Sequence, residues 1–156
     1  MEIASLSEIK KELKSVSPTQ LQEICIRLAK HRKENKELLS YLLFDSYNQQ
    51  LFIENVKAEI DEQFVHLNQS SFYLAKKTLR KVLRTTRKYI RFSGSKQIEI
   101  ELLIYFCHKL QSTGLHRRSS IVIRNMYNRE VERILKVLAS LHEDLQYDYR
   151  EEVEKL

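Results

Sequence analysis

The chain has 156 residues, of which only two are Gly and one is Pro, and its formal net charge is +6. Sheet proteins need many tight turns that consume such residues, so the composition argues against an all-β fold and against Gly-rich phosphate loops. Leu, Ile, Val and Phe are too plentiful for a chain that is disordered throughout. We therefore predict an all-α protein with six to seven helices.

Apolar residues recur at the i, i+3 and i+4 spacing of amphipathic helices. The second predicted helix begins at a capping box, Ser17-Pro18-Thr19-Gln20, and the fifth ends at Gly94, which suits a left-handed closing residue. The sixth is apolar nearly all round, so we expect it to be the most buried. In the last one we expect Ile134 and Leu135 to face inward. The predicted helices cover about residues 3–14, 18–33 with a frayed end at 30–33, 35 to between 45 and 48, 49–67, 71–93, 96–112, and 120 to 145 or beyond.

Short links between successive helices predict packing as antiparallel hairpins, arranged either as an α–α superhelix (solenoid-like) or as an irregular bundle. The pattern ELL-x-Y occurs at 37–41 and again at 101–105. The arrangement is similar to armadillo- or HEAT-type solenoids in architecture alone, because no repeat motif of either family is present. We predict one helical domain over residues 1–146 and an acidic C-terminal tail over residues 147–156, whose end we expect to fray.

Charge is distributed unevenly along the chain. Residues 1–62 carry a net charge of −2, residues 63–134 carry +11, and residues 135–156 carry −3. No acidic residue occurs from Gln63 to Ile98. The segment 63–134 is therefore the place to look for an anion-binding surface.

The fifth predicted helix concentrates this positive charge. At 100° per residue, its basic residues fall within an arc of about 140°, with Tyr73 among them and apolar residues on the opposite side. Like charges four residues apart destabilise a helix, and this helix contains no acid to offset them. The eight basic residues are Lys76, Lys77, Arg80, Lys81, Arg84, Arg87, Lys88 and Arg91.

Two interpretations of this basic stripe remain open. Acidic residues from elsewhere could neutralise it within the fold, and the acidic segment from Glu143 to Glu154 is the obvious internal source. Alternatively, the stripe binds an external polyanion, most plausibly the phosphates of nucleic acid. The candidate anion- or nucleic-acid-binding residues are Lys76, Arg80, Arg84, Arg87, Arg91, Arg117 and Arg118.

Signatures of catalysis and of metal binding are absent from the sequence. Cys107 and His108 are adjacent and point about 100° apart on a helix, so they do not pair as nucleophile and base. Gln63 stands where a Glu-x-x-His motif ending at His66 would need Glu. The loop around His116 could hold a small anion. We expect no enzyme activity, no metal and no cofactor, and we expect Cys25 to be a buried thiol like Cys107.

The sequence predicts a non-catalytic α-helical interaction protein that binds a protein partner through a helix face or groove. The alternative is a nucleic-acid-binding protein that uses the basic face of the helix at 71–93. No apolar run approaches the roughly 20 residues needed to span a bilayer. The first 14 residues are amphipathic and charged, so we expect a cytoplasmic protein.

Overall fold

The computed structural model describes residues 2–118 and 121–156, with only the backbone of Arg118. The described residues contain α-helices, one short π-helix and no strand, which confirms the all-α prediction. They contain nine α-helices, where the sequence predicts six to seven. A short additional helix follows the predicted helix at 96–112, and the last predicted helix is divided into two separate helices. The helices are α1 (Leu6–Leu13), α2 (Pro18–His31), α3 (Lys33–Ser40), α4 (Gln49–Val65), α5 (Phe72–Ser93), α6 (Lys96–Ser112), α7 (Leu115–Arg118), α8 (Ile121–Ala139) and α9 (Glu143–Glu154).

The chain divides into two compact units, Met1–Phe44 and Asp45–Leu156, where the sequence predicts one domain over residues 1–146. In the first unit α2 packs against α3, and the Asn35 side-chain amide donates to the Leu28 carbonyl at 2.9 Å. Of the described residues in this unit, one is buried: Tyr41, at the start of the π-helix Tyr41–Asp45. Most large apolar side chains of α1 and α2 are exposed. A unit this small buries little apolar surface of its own.

The core of the second unit lies around α6. This helix packs against α4, α5, α7 and α8, and it has the most buried residues of any described helix, as predicted. Polar contacts at the rim join the same helices: Lys109 and the Tyr105 hydroxyl on α6 both reach Asp61 on α4, at 2.9 Å and 2.7 Å. Burial together with these contacts fixes the orientation of α4 and α6.

The predicted last helix ends at Ala139, and the chain turns at Ser140–Leu141 before His142 caps α9. The buried residues of α8 form a single stripe that does not include Leu135, whose side chain is 51% exposed. The expectation that Leu135 faces inward is therefore wrong. The stripe consists of Ile123, Met126, Tyr127, Glu130 and Ile134.

Most of the predicted C-terminal tail lies in α9. Val153 is buried, and the Tyr149 hydroxyl donates to Glu101 on α6 at 2.8 Å. The Tyr127 hydroxyl donates to the Leu156 carbonyl at 2.5 Å. These residues therefore belong to the second unit and pack against α6 and α8, where the sequence predicts a separate tail.

Candidate nucleic-acid interface

The position of α5 is set by caps at both ends and by one buried side. The Ser71 hydroxyl accepts a hydrogen bond from the Leu74 amide at the N-terminus. Gly94 closes the C-terminus in the left-handed conformation, with φ +61°, and its amide donates to the Ile90 carbonyl at 3.1 Å. The side that packs into the core consists of Ala75, Leu79, Val82, Leu83, Thr86, Ile90 and Phe92. With this side buried, most of the basic residues are directed away from the core.

Five cationic residues in the first four turns of α5 form what we call the basic face: Lys76, Lys77, Arg80, Lys81 and Arg84. Four of them are exposed and Lys76 is half-buried. None of the five makes an ion pair with an acidic side chain in the part of the chain that the structure describes. Their mutual repulsion is therefore not offset by such a pair.

Tyr73 lies at the N-terminal end of the basic face, within the same arc of the helix. Its side chain is 69% exposed, and the Lys76 ammonium lies 5.5 Å from the centroid of its ring. This distance is typical of a cation–π contact. The basic face thus combines charge with an accessible aromatic ring.

Arg87 differs from the five residues of the basic face, because its guanidinium forms an ion pair with Glu130 on α8. The Glu130 side chain is 1% exposed, and its Oε2 and the Arg87 Nε are buried without a hydrogen-bond partner. A buried carboxylate depends on its counter-charge, so Arg87 neutralises Glu130 and ties α5 to α8. The structure thus assigns Arg87 a partner within the fold.

The last turns of α5 are also engaged inside the protein. The Lys88 ammonium lies 4.7 Å from the Tyr89 ring centroid and 5.9 Å from that of Phe92. Arg91 is exposed and has an interaction partner within the chain. The predicted stripe of eight therefore separates into an outward-directed first part and a last part held by the fold.

The acidic residues of α9 were the internal candidates to neutralise the stripe. Glu151 pairs instead with Lys155 at 2.8 Å, and Asp144 lies 3.3 Å from the His142 ring. No described ion pair joins α9 to the basic face. Within the fold, Glu130 neutralises Arg87. The five residues of the basic face have no acidic partner among the described residues.

Arg117 lines a cleft of about 550 Å³ at the C-terminal end of α6, together with His108, His116 and Lys155. Burial and the nearby Arg117 charge lower the pKa of His116, opposed by a hydrogen bond to the Leu110 carbonyl. Arg117 thus supplies positive charge beside His116, and its predicted role in anion binding stays a prediction. The side chain of Arg118 lies outside the described residues.

Other chemistry-bearing residues are in structural contacts. Burial, assisted by the Glu130 charge, raises the pKa of the Cys107 thiol to about 12. Glu59 accepts a hydrogen bond from the Tyr89 hydroxyl at 2.6 Å. Among the described residues, no cluster of three His, Cys, Asp or Glu is placed to hold a metal ion. No described helix is both long and apolar enough to cross a membrane.

Comparisons of the chain with models of protein families, with functionally characterised proteins and with solved structures gave no match.

Proposed function

We propose that this protein is not an enzyme but binds nucleic acid, and that the basic face of α5 contacts the phosphates. One observation carries the proposal: five cationic side chains lie along one helix face and lack an acidic partner in the described part of the chain. A row of like charges lowers helix stability, and the phosphates of a bound strand would remove this repulsion.

The form of the basic face favours a strand of phosphates over a single small anion. From Lys76 to Arg84 the helix rises about 12 Å, so the charges are spread along a line. All five side chains are Lys or Arg, which supply the positive charge that phosphate oxygens bind. We therefore expect contacts to the backbone, with little dependence on base sequence.

Fluorescence anisotropy with labelled oligonucleotides of 20 nucleotides tests the proposal. With about three phosphate contacts on a single strand, the affinity should fall by about 20-fold between 50 and 200 mM salt, because bound counterions are released on binding. The double variant Arg80→Ala/Arg84→Ala should bind more weakly and reduce the salt slope by about 1 to 2. Absence of binding by the wild-type protein at about 50 mM salt would contradict the proposal.

A matched control removes two exposed arginines that lie outside α5. The variant Arg27→Ala/Arg150→Ala changes the net charge by the same amount, and both positions are exposed. It should keep an affinity and a salt slope close to those of the wild-type protein. An equal loss of affinity in this control and in Arg80→Ala/Arg84→Ala would assign binding to net charge and not to the basic face.

The protein-binding function that the sequence predicts first is a second proposal, supported by a groove in the first unit. An apolar groove of about 240 Å³ lies between α2 and α3, with Cys25, Leu28 and Leu39 among its lining residues. A groove of this kind suits one amphipathic helix of a partner protein. Leu28→Glu should remove such binding and leave nucleic-acid binding intact.

A cytoplasmic location and packing of the helices as antiparallel hairpins remain part of the proposal.

A further inference from the structure

We propose that Tyr73 is a stacking site for an unpaired base, so that the preferred ligand of the basic face is single-stranded nucleic acid. The inference rests on the proposed function and specifies its ligand.

The first turn of α5 exposes three consecutive aromatic or aliphatic side chains, and only the buried Ala75 separates them from the first lysine of the basic face. Phe72, Tyr73 and Leu74 are all exposed, and Tyr73 is the most exposed of the three. Tyr73 is 300° before Lys76 on the helix, which places it at about 60° in the middle of the basic arc. A ligand that follows the basic face therefore meets this ring.

The Tyr73 ring is open to a flat partner. The Lys76 ammonium lies over the ring at 5.5 Å from its centroid, and a cation on one face leaves the opposite face available. Aromatic side chains beside cationic ones are the usual platform for single strands, because every base offers a face for stacking whatever its identity. Tyr73 and Lys76 together suit one nucleotide, the ring holding the base and the ammonium a neighbouring phosphate.

Away from its ends, a duplex cannot use this ring without local opening, because its bases are stacked on one another. Extruding a base from a duplex costs a few kcal/mol, whereas a single strand has unpaired bases from the start. The rest of the basic face lies further along the same helix, so a strand that stacks at Tyr73 can run past Arg80 and Arg84. Single-stranded ligands can thus satisfy both the charges and the ring, and duplexes the charges alone.

The test compares two labelled ligands at one salt concentration, an oligothymidylate of 20 nucleotides and a blunt duplex of the same length. Tyr73→Ala should lower the affinity for the single strand by about 5- to 150-fold, the usual cost of losing one stacked base. Its affinity for the duplex should not change. Tyr73→Phe should bind the single strand like the wild-type protein, because the ring remains.

Tyr147→Ala is the matched control, since Tyr147 is an exposed tyrosine on the acidic helix α9. It should bind both ligands like the wild-type protein. Equal loss of affinity for the two ligands in Tyr73→Ala, or no loss for the single strand, would overturn the stacking site while salt-dependent binding continued. Wild-type protein that binds neither ligand would refute the proposed function itself.

Discussion

Arg87 on α5 and Glu130 on α8 form an ion pair in which the carboxylate is almost completely buried. The pair joins α5 to α8, which packs against α6. Arg87 is one of the eight basic residues of the predicted stripe. An acid in the core of this small protein needs a cation within reach, and α5 supplies it.

Removing the cation should therefore destabilise the protein far more than removing an exposed one. Arg87→Met leaves the Glu130 carboxylate buried without its partner and should lower the free energy of unfolding by about 3 kcal/mol. Arg80→Met, on the exposed face, should instead raise it by about 0.5 kcal/mol, because it removes two repulsive pairs. Urea denaturation of the two variants measures the difference. The double variant Arg87→Met/Glu130→Met should recover most of the loss, because no buried charge remains. Equal stability of Arg87→Met and Arg80→Met would contradict the role of the pair.

The repulsion along the basic face should be measurable as lost stability. Arg80 lies four residues from both Lys76 and Arg84, so Arg80→Glu replaces two repulsive pairs with two attractive ones. The free energy of unfolding should rise by about 1 kcal/mol at low salt, and the gain should shrink as salt increases. Arg80→Gln should give about half of this gain in the free energy of unfolding, because it removes the repulsion without adding attraction. The same substitutions should weaken oligonucleotide binding. A less stable Arg80→Glu variant would mean that the fold already neutralises this face.

The two cysteines should react at very different rates. Cys107 is fully buried, and its raised pKa leaves almost no thiolate near neutral pH, whereas Cys25 is partly exposed. Titration of the folded protein with a coloured disulfide reagent should therefore show one fast thiol and a second that reacts only on unfolding. Cys25→Ser should abolish the fast phase, and Cys107→Ser should leave it unchanged. Two fast thiols would contradict the burial of Cys107.

Asp61 should give the fold a dependence on acid pH. Burial raises the pKa of its carboxyl, but hydrogen bonds from Lys109 and Tyr105 and the Lys109 charge outweigh this, so the pKa lies below the ordinary 3.8. A carboxyl whose pKa is lower in the folded state than in the unfolded state stabilises the protein fully at pH values above the unfolded-state pKa. This stabilisation is lost as the pH falls through the folded-state pKa. Because the pair is partly exposed, Asp61→Asn should cost no more than about 1 kcal/mol at pH 7. The difference from the wild-type protein should shrink below pH 3.8. A difference that stays constant down to pH 2 would contradict the prediction.

Much of the fold was predictable because helix signals are local. The bounds of α5 agree with the predicted 71–93 to within one residue, since Ser71 and Gly94 act at the two ends and apolar spacing marks the buried side. The break at Ser140–Leu141 was missed, because neither Gly nor Pro marks it. Leu135 was misplaced for a related reason: an apolar residue next to Ile134 fits a helical stripe, but packing against α6 selects which stripe is buried.

The sequence predicts where the candidate site lies on the helix. It does not predict which of the basic residues face outward and which are paired within the fold. The arc of eight basic residues follows from rotation along the sequence alone. The partner of Arg87 lies 43 residues away, and Glu130 in a net-basic segment has the sequence signature of a surface acid. Its burial depends on how α8 packs, which no local pattern specifies. The exposure of Tyr73 likewise depends on which side of α5 faces the core.

A ligand can use only the first part of α5, because the basic residues of its last turns are engaged within the fold. From Tyr73 to Arg84 the helix extends about 16 Å, enough for only a few nucleotides. A contact this short can occupy many overlapping positions on a long strand, and each position has nearly the same energy. The apparent affinity per strand should therefore increase with strand length through the number of available registers, even though the contact itself does not change.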